Sequence, residues 1–191
     1  MKPLNNAPSR AHEPTCRDWI LLGVAALIGA CLLCSDPAHA AETTRLTGPV
    51  DAAMSAKAEA AIARGDRVVE IASPGGTMAL GFGIGERFKA AGVAVRCVGV
   101  CASAAAQILI ASKGCIVARS GRVILHRPVL TMANLDSTTF AKLDHAVLEA
   151  WRMKMEGIGV PDDLIFRTEQ AYQGLFELNE LAMRRVGCRL E

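Results

Sequence analysis

The stretch from 71 to 128 limits the possible folds more than any other part of the chain. Three runs of strand character each stop at a short turn. Ser73-Pro74-Gly75-Gly76 follows the first, Cys101-Ala102-Ser103-Ala104-Ala105 the second, and Leu125-His126-Arg127-Pro128 closes the third. Segments of helical character, 77–91 and 103–111, lie between them. Strand alternating with helix at this spacing predicts an α/β fold with a mostly parallel sheet and crossover helices. Such sheets keep their chemistry just outside the strand ends. Here those ends bring a glycine turn with free N–H groups, a hydroxyl at a helix start and an imidazole. Acyl transfer by a serine nucleophile needs these groups.

The remaining elements follow the same pattern. A short strand at 45–50 leads to a helix capped by Asp51 and running to about residue 63. Strands are expected at 67–72, 93–100, 115–118 and 122–126. Gly81, Gly83 and Gly85 each cost the 77–91 helix about 1 kcal/mol against alanine. Close packing on the sheet is the simplest offset. Beyond Pro128 a long helix, 136–156, carries Phe140, Leu143, Val147, Trp151, Met155 and Ile158 as one apolar stripe. Pro161 opens a further helix and Asn179 caps a last one.

The chain has 191 residues, and 19–34 is an uncharged apolar run followed by Ala38-His39-Ala40. This predicts a secretory signal peptide, 1–40, cleaved after Ala40, and a single mature domain, 41–191, in the periplasm or outside the cell. The alternatives are an uncleaved anchor or a lipoprotein using Ile28-Gly29-Ala30-Cys31. From Ala41 on there are 18 basic and 16 acidic residues with no basic cluster, so nucleic acid is excluded as an expected partner. An oxidising compartment permits a disulfide among the remaining cysteines. Cys97 with Cys115, or Cys101 with Cys115, is the expected pairing, because these residues fall on consecutive strands. No metal and no cofactor are expected. The Cys97-x3-Cys101 spacing is not a zinc motif, and Gly81-x-Gly83-x-Gly85 lacks the spacing and context of a nucleotide loop.

Each candidate also has a plain structural role. Ser103 can be an N-cap, His126 a satisfied strand-end histidine, and Gly75-Gly76 a turn that needs positive φ. Their joint occurrence at successive strand ends favours the chemical reading. The set Ser-Pro-Gly-Gly-Thr, Cys-Ala-Ser-Ala-Ala and Ile-Leu-His-Arg-Pro, in this order and spacing, resembles the proteolytic subunit of the Clp protease. So does Leu46-Thr47-Gly48-Pro49-Val50-Asp51. The similarity runs from about residue 45 to 187.

The resemblance implies the ββα superhelix shared with crotonases and a helical handle at 136–156 that joins subunits into a homo-oligomer. It implies Ser103 as nucleophile, His126 as general base, and the backbone N–H groups of Gly76 and Ala104 as oxyanion hole. The substrate would be a peptide or unfolded protein. The family's aspartate would fall near residue 172, but no aspartate follows Asp163. Glu169 and Gln173 are the candidate substitutes for orienting the imidazole, and a backbone carbonyl or amide could orient it more weakly. An exported chain meets no ATP, so no ATP-driven unfoldase is expected. The principal expectation is thus an exported serine endopeptidase with a Ser–His dyad, working without ATP. A catalytically inactive binding or assembly module is the alternative, and a crotonase-type acyl-CoA enzyme the third reading.

Overall fold

The computed structural model describes residues 43–130, 136–171 and 174–191. The expectations for the segment 1–40 and for Gln173 lie outside these residues. The chain runs β1 (Arg45–Thr47), α1 (Ala52–Arg64), β2 (Val68–Ser73), α2 (Met78–Ala91), β3 (Ala94–Ala102), α3 (Ala104–Ala111), β4 (Gly114–Val117) and β5 (Arg122–Leu125). It continues through α4 (Ser137–Gly157), α5 (Asp162–Gln170), β6 (Phe176–Glu177), α6 (Glu180–Arg185) and β7 (Cys188–Leu190). The strands form one sheet with the path β1-β2-β3-β4-β7, and β5 joins it beside β3. Every pairing is parallel except that of β5 with β6.

Local chemistry explains most boundaries. Asp51 caps α1 by accepting from Met54 N–H at 2.9 Å, and Gly65 ends it in the left-handed conformation. Asp136 accepts from the N–H groups of Thr138 and Thr139 to start α4. Strands β2, β4 and β5 put Val69, Ile71, Val117, Val123 and Leu125 into one core with Phe88, Ile108 and Leu109 of the helices. Each such side chain contributes about 1.5–3 kcal/mol by leaving water.

The helix glycines pack differently from expectation. A Cβ on Gly81 would lie 2.7 Å from the Ala104 carbonyl oxygen, and one on Gly85 would lie 2.7 Å from Ala111 Cβ. The close approach is therefore to α3, not to the sheet. Gly83 has nothing within 4 Å, and the structure offers no reason for it.

Strand β3 determines where the site lies. Its first half, Ala94 to Cys97, pairs with β4, and its second half, Val100 to Ala102, pairs with β5. Between Ile71 and Ser73 of β2 the register on β3 jumps from Cys97 to Cys101. Two additional residues are thus folded out as a bulge. The Cα atoms of Cys97 and Cys101 are 6.2 Å apart and a disulfide joins the two residues. Four steps of extended strand would span about 13 Å.

This corrects the expected cysteine pairing. Cys115 stands opposite Val95 rather than Cys97, and Cys101 lies beyond the bulge, opposite Val123 of β5. Cys115 instead pairs with Cys188, its register partner on β7, at a Cα separation of 4.4 Å. Neither β6 nor β7 was expected from the sequence.

The apolar stripe of α4 also divides. Trp151 and Met155 are buried in the core, whereas Phe140 and Leu143 are exposed. Among the described residues no helix is long and apolar enough to cross a membrane.

Candidate active site

Ser103 occupies the single residue between β3 and α3. Its φ of 56° and ψ of −122° make it the one non-glycine residue with positive φ among those described. An L-residue held in such a region costs about 1–3 kcal/mol. The N-cap role would repay part of that cost, but the Ser103 side chain makes no capping hydrogen bond. The surroundings hold the turn in place. Ser103 N–H donates to the Ile124 carbonyl at 2.9 Å, two residues before His126. A sharp, strained strand-to-helix turn is how a nucleophilic serine is thrust out from a sheet end.

The glycine turn packs directly against this serine. Ser73 Oγ accepts from Gly75 N–H at 3.1 Å, and Gly75 has φ 98°. A Cβ on Gly75 would stand 2.6 Å from Ser103 Cβ and 3.2 Å from Ala104 N. Only glycine permits that approach. Gly76 forms a parallel bridge with Val50, through Val50 N–H to Gly75 O at 2.8 Å and Thr77 N–H to Val50 O at 2.9 Å. In such a bridge the central residue's own N–H points away from its partner strand. The N–H of Ala104 belongs to the first turn of α3, where no intrahelical acceptor exists.

His126 follows β5 and is half-buried. Its Nδ1 lies 2.6 Å from the Arg127 carbonyl oxygen. A carbonyl can only accept, so Nδ1 carries the hydrogen, and in the neutral ring Nε2 keeps its lone pair. The Arg127 guanidinium pairs with Asp144 on α4, which ties the strand end to that helix. No hydrogen bond joins Ser103 and His126 in this structure, although both line one cleft of about 480 Å³. Gly76 lines it as well. Catalytic hydrogen bonds are often long without substrate.

The two candidates for orienting the ring fare differently. Glu169 makes three hydrogen bonds of 2.8–3.0 Å to Arg152 and its side chain is 12% exposed. It is thus engaged between α5 and α4 and does not line the cleft of His126, which removes it as an orienting group. Gln173 lies outside the described residues. Sequence reasoning allowed a backbone carbonyl in this role but could not name that of Arg127, because a main-chain acceptor leaves no mark on side-chain identity. It missed Gln107, which lines the same cleft from α3; its signal was the four-residue step from Ser103.

A family model described as Clp protease matches residues 53–156, more than half of the chain. The chain belongs to the Clp protease family. No curated protein matches it. The Clp protease match includes Gly76, Ser103, Ala104 and His126 and ends before α5, so Glu169 and the place expected for the family's aspartate fall outside it. At family level the domain is a Clp protease-like peptidase domain, and its mixed α/β build with a mostly parallel sheet agrees with that membership.

Proposed function

We propose that this Clp protease-like domain is an exported serine peptidase that cleaves peptide bonds with a Ser103–His126 dyad, without ATP. The conformation of Ser103 carries the reading: a strained serine that caps nothing, at a strand end, in the cleft that His126 lines. Ser103 Oγ attacks the scissile carbonyl and its proton passes to His126 Nε2. The negative charge that develops on the carbonyl oxygen is held by the N–H groups of Gly76 and Ala104. The imidazolium then gives the proton to the departing amine, leaving an acyl-enzyme. Water attacks this ester by the same route in reverse, and the acid leaves.

The Arg127 carbonyl takes the orienting role of the absent aspartate. It selects the required tautomer but supplies no full negative charge to balance the imidazolium. A wrong tautomer costs about 10⁴ in serine proteases, so a carbonyl acceptor protects much of that factor. Two disulfides in the domain support export, since they persist in oxidising compartments. The exposed apolar residues at the start of α4 support assembly into a homo-oligomer through that helix.

A second reading is an inactive binding or assembly module, favoured by the absence of a carboxylate behind His126 among the described residues. A fluorophosphonate probe separates the two. Covalent labelling of the wild type that disappears in Ser103→Ala supports the peptidase; equal lack of labelling in both supports the module.

A further inference from the structure

We propose that Gln107 reads the side chain of the residue whose carbonyl Ser103 attacks, and that it favours an uncharged side chain ending in an amide. The inference rests on the peptidase reading above and names its substrate preference. Gln107 is only 4% exposed, yet it forms part of the cleft wall. Its Oε1 is buried and has no hydrogen-bond partner among the described residues. A buried polar group left unpaired is costly, and native structures rarely keep one without a use.

Gly81, which packs against the amide, does not supply the partner. On the α2 side Gly81 makes room for the amide: a Cβ there would stand 3.0 Å from Oε1. Gly81 N–H is already given to the Thr77 carbonyl at 3.0 Å. A group bound in the cleft, which Gln107 lines together with Asp51, Thr77, Val50, Met78, Val129 and Val147, can supply one. A small number of placed polar groups in such a wall fixes orientation and specificity.

Geometry sets the class of group that fits. Gln107 is the fourth residue of α3, about one helical turn beyond the turn that holds Ser103. A helical turn rises about 5.4 Å, roughly the reach of a glutamine or asparagine side chain from its own carbonyl carbon. A terminal amide offers both donor and acceptor, so it pairs with Gln107 whichever way the Gln107 amide is turned. An aliphatic side chain of equal length leaves the buried Gln107 Oε1 unsatisfied. A lysine would bring a full charge that the neutral Gln107 amide cannot balance.

Fluorogenic peptides that differ only in the residue before the scissile bond test this, with glutamine, asparagine, methionine, leucine or lysine at that position. The wild type is expected to show kcat/KM at least about tenfold higher for glutamine than for methionine. In Gln107→Met the ratio should fall to near one, through loss on the glutamine peptide, with circular dichroism confirming the fold. The wild-type profile stands as a test even where the variant does not fold. Equal rates on glutamine and methionine, a preference for lysine, or a glutamine preference that survives in Gln107→Met overturns the proposal. If Ser103 is labelled by fluorophosphonate and no amide preference exists, only this inference falls. If no labelling and no hydrolysis occur, the peptidase reading falls and takes this one with it.

Discussion

At Ser103 the backbone pays for a position that its side chain does not use for capping. The cost lies in the Cβ, since a positive φ brings that atom against the neighbouring backbone. Ser103→Ala keeps the Cβ and therefore the strain. Ser103→Gly removes it, at some cost in unfolded-chain entropy. The glycine variant is therefore expected to unfold at higher temperature than the alanine variant, by about 1–2 kcal/mol in stability. Thermal denaturation of the two variants side by side checks this, and equal midpoints would show that the turn is unstrained. The measurement needs no substrate, so it examines the geometry apart from the chemistry. The residue scale is also where the sequence was most and least informative. Ser103, His126 and the two glycines stood out because strand ends put them in register. Glu169 was misjudged because distance along the chain does not say that α5 presents it to Arg152.

Among the elements, β3 carries the most consequence. It changes neighbours part-way, and the bulge closed by Cys97 and Cys101 lets its second half reach β5 and bring Ser103 to the cleft that His126 also lines. Loop-closure entropy gives about 2 kcal/mol for so short a ring and about 4 kcal/mol for the ring closed by Cys115 and Cys188. The first disulfide is thus mainly a local clamp and the second mainly a brace. Replacing both Cys97 and Cys101 by serine should slow fluorophosphonate labelling of Ser103 about tenfold or more, as sub-ångström misplacement does, while most of the fold survives. Replacing Cys115 and Cys188 should lower the unfolding temperature more and the labelling rate less. Reversal of that order in stopped labelling and thermal scans would reject the assignment. None of this was visible beforehand. A bulge is defined by its partner strand, and β7 has three residues, too few to show a period, so Cys188 gave no hint of its mate. The helices, whose spacing and caps are local, were legible to within a few residues.

For the molecule as a whole, α4 divides its stripe between two tasks. Trp151 and Met155 hold it to the core, and Phe140 and Leu143, 38% and 37% exposed, remain at its other end. In the assembly proposed above these two meet a second copy. Phe140→Asp combined with Leu143→Asp should therefore reduce the oligomer to smaller species in sedimentation velocity, while Trp151 and Met155 keep each subunit folded. An unchanged sedimentation coefficient would place the contact elsewhere. The bond between Cys115 and Cys188 spans 73 positions and encloses β5, α4, α5, β6 and α6. A single nick anywhere in that enclosed stretch, self-inflicted or not, leaves two fragments that travel as one band on a gel until a thiol reagent is added.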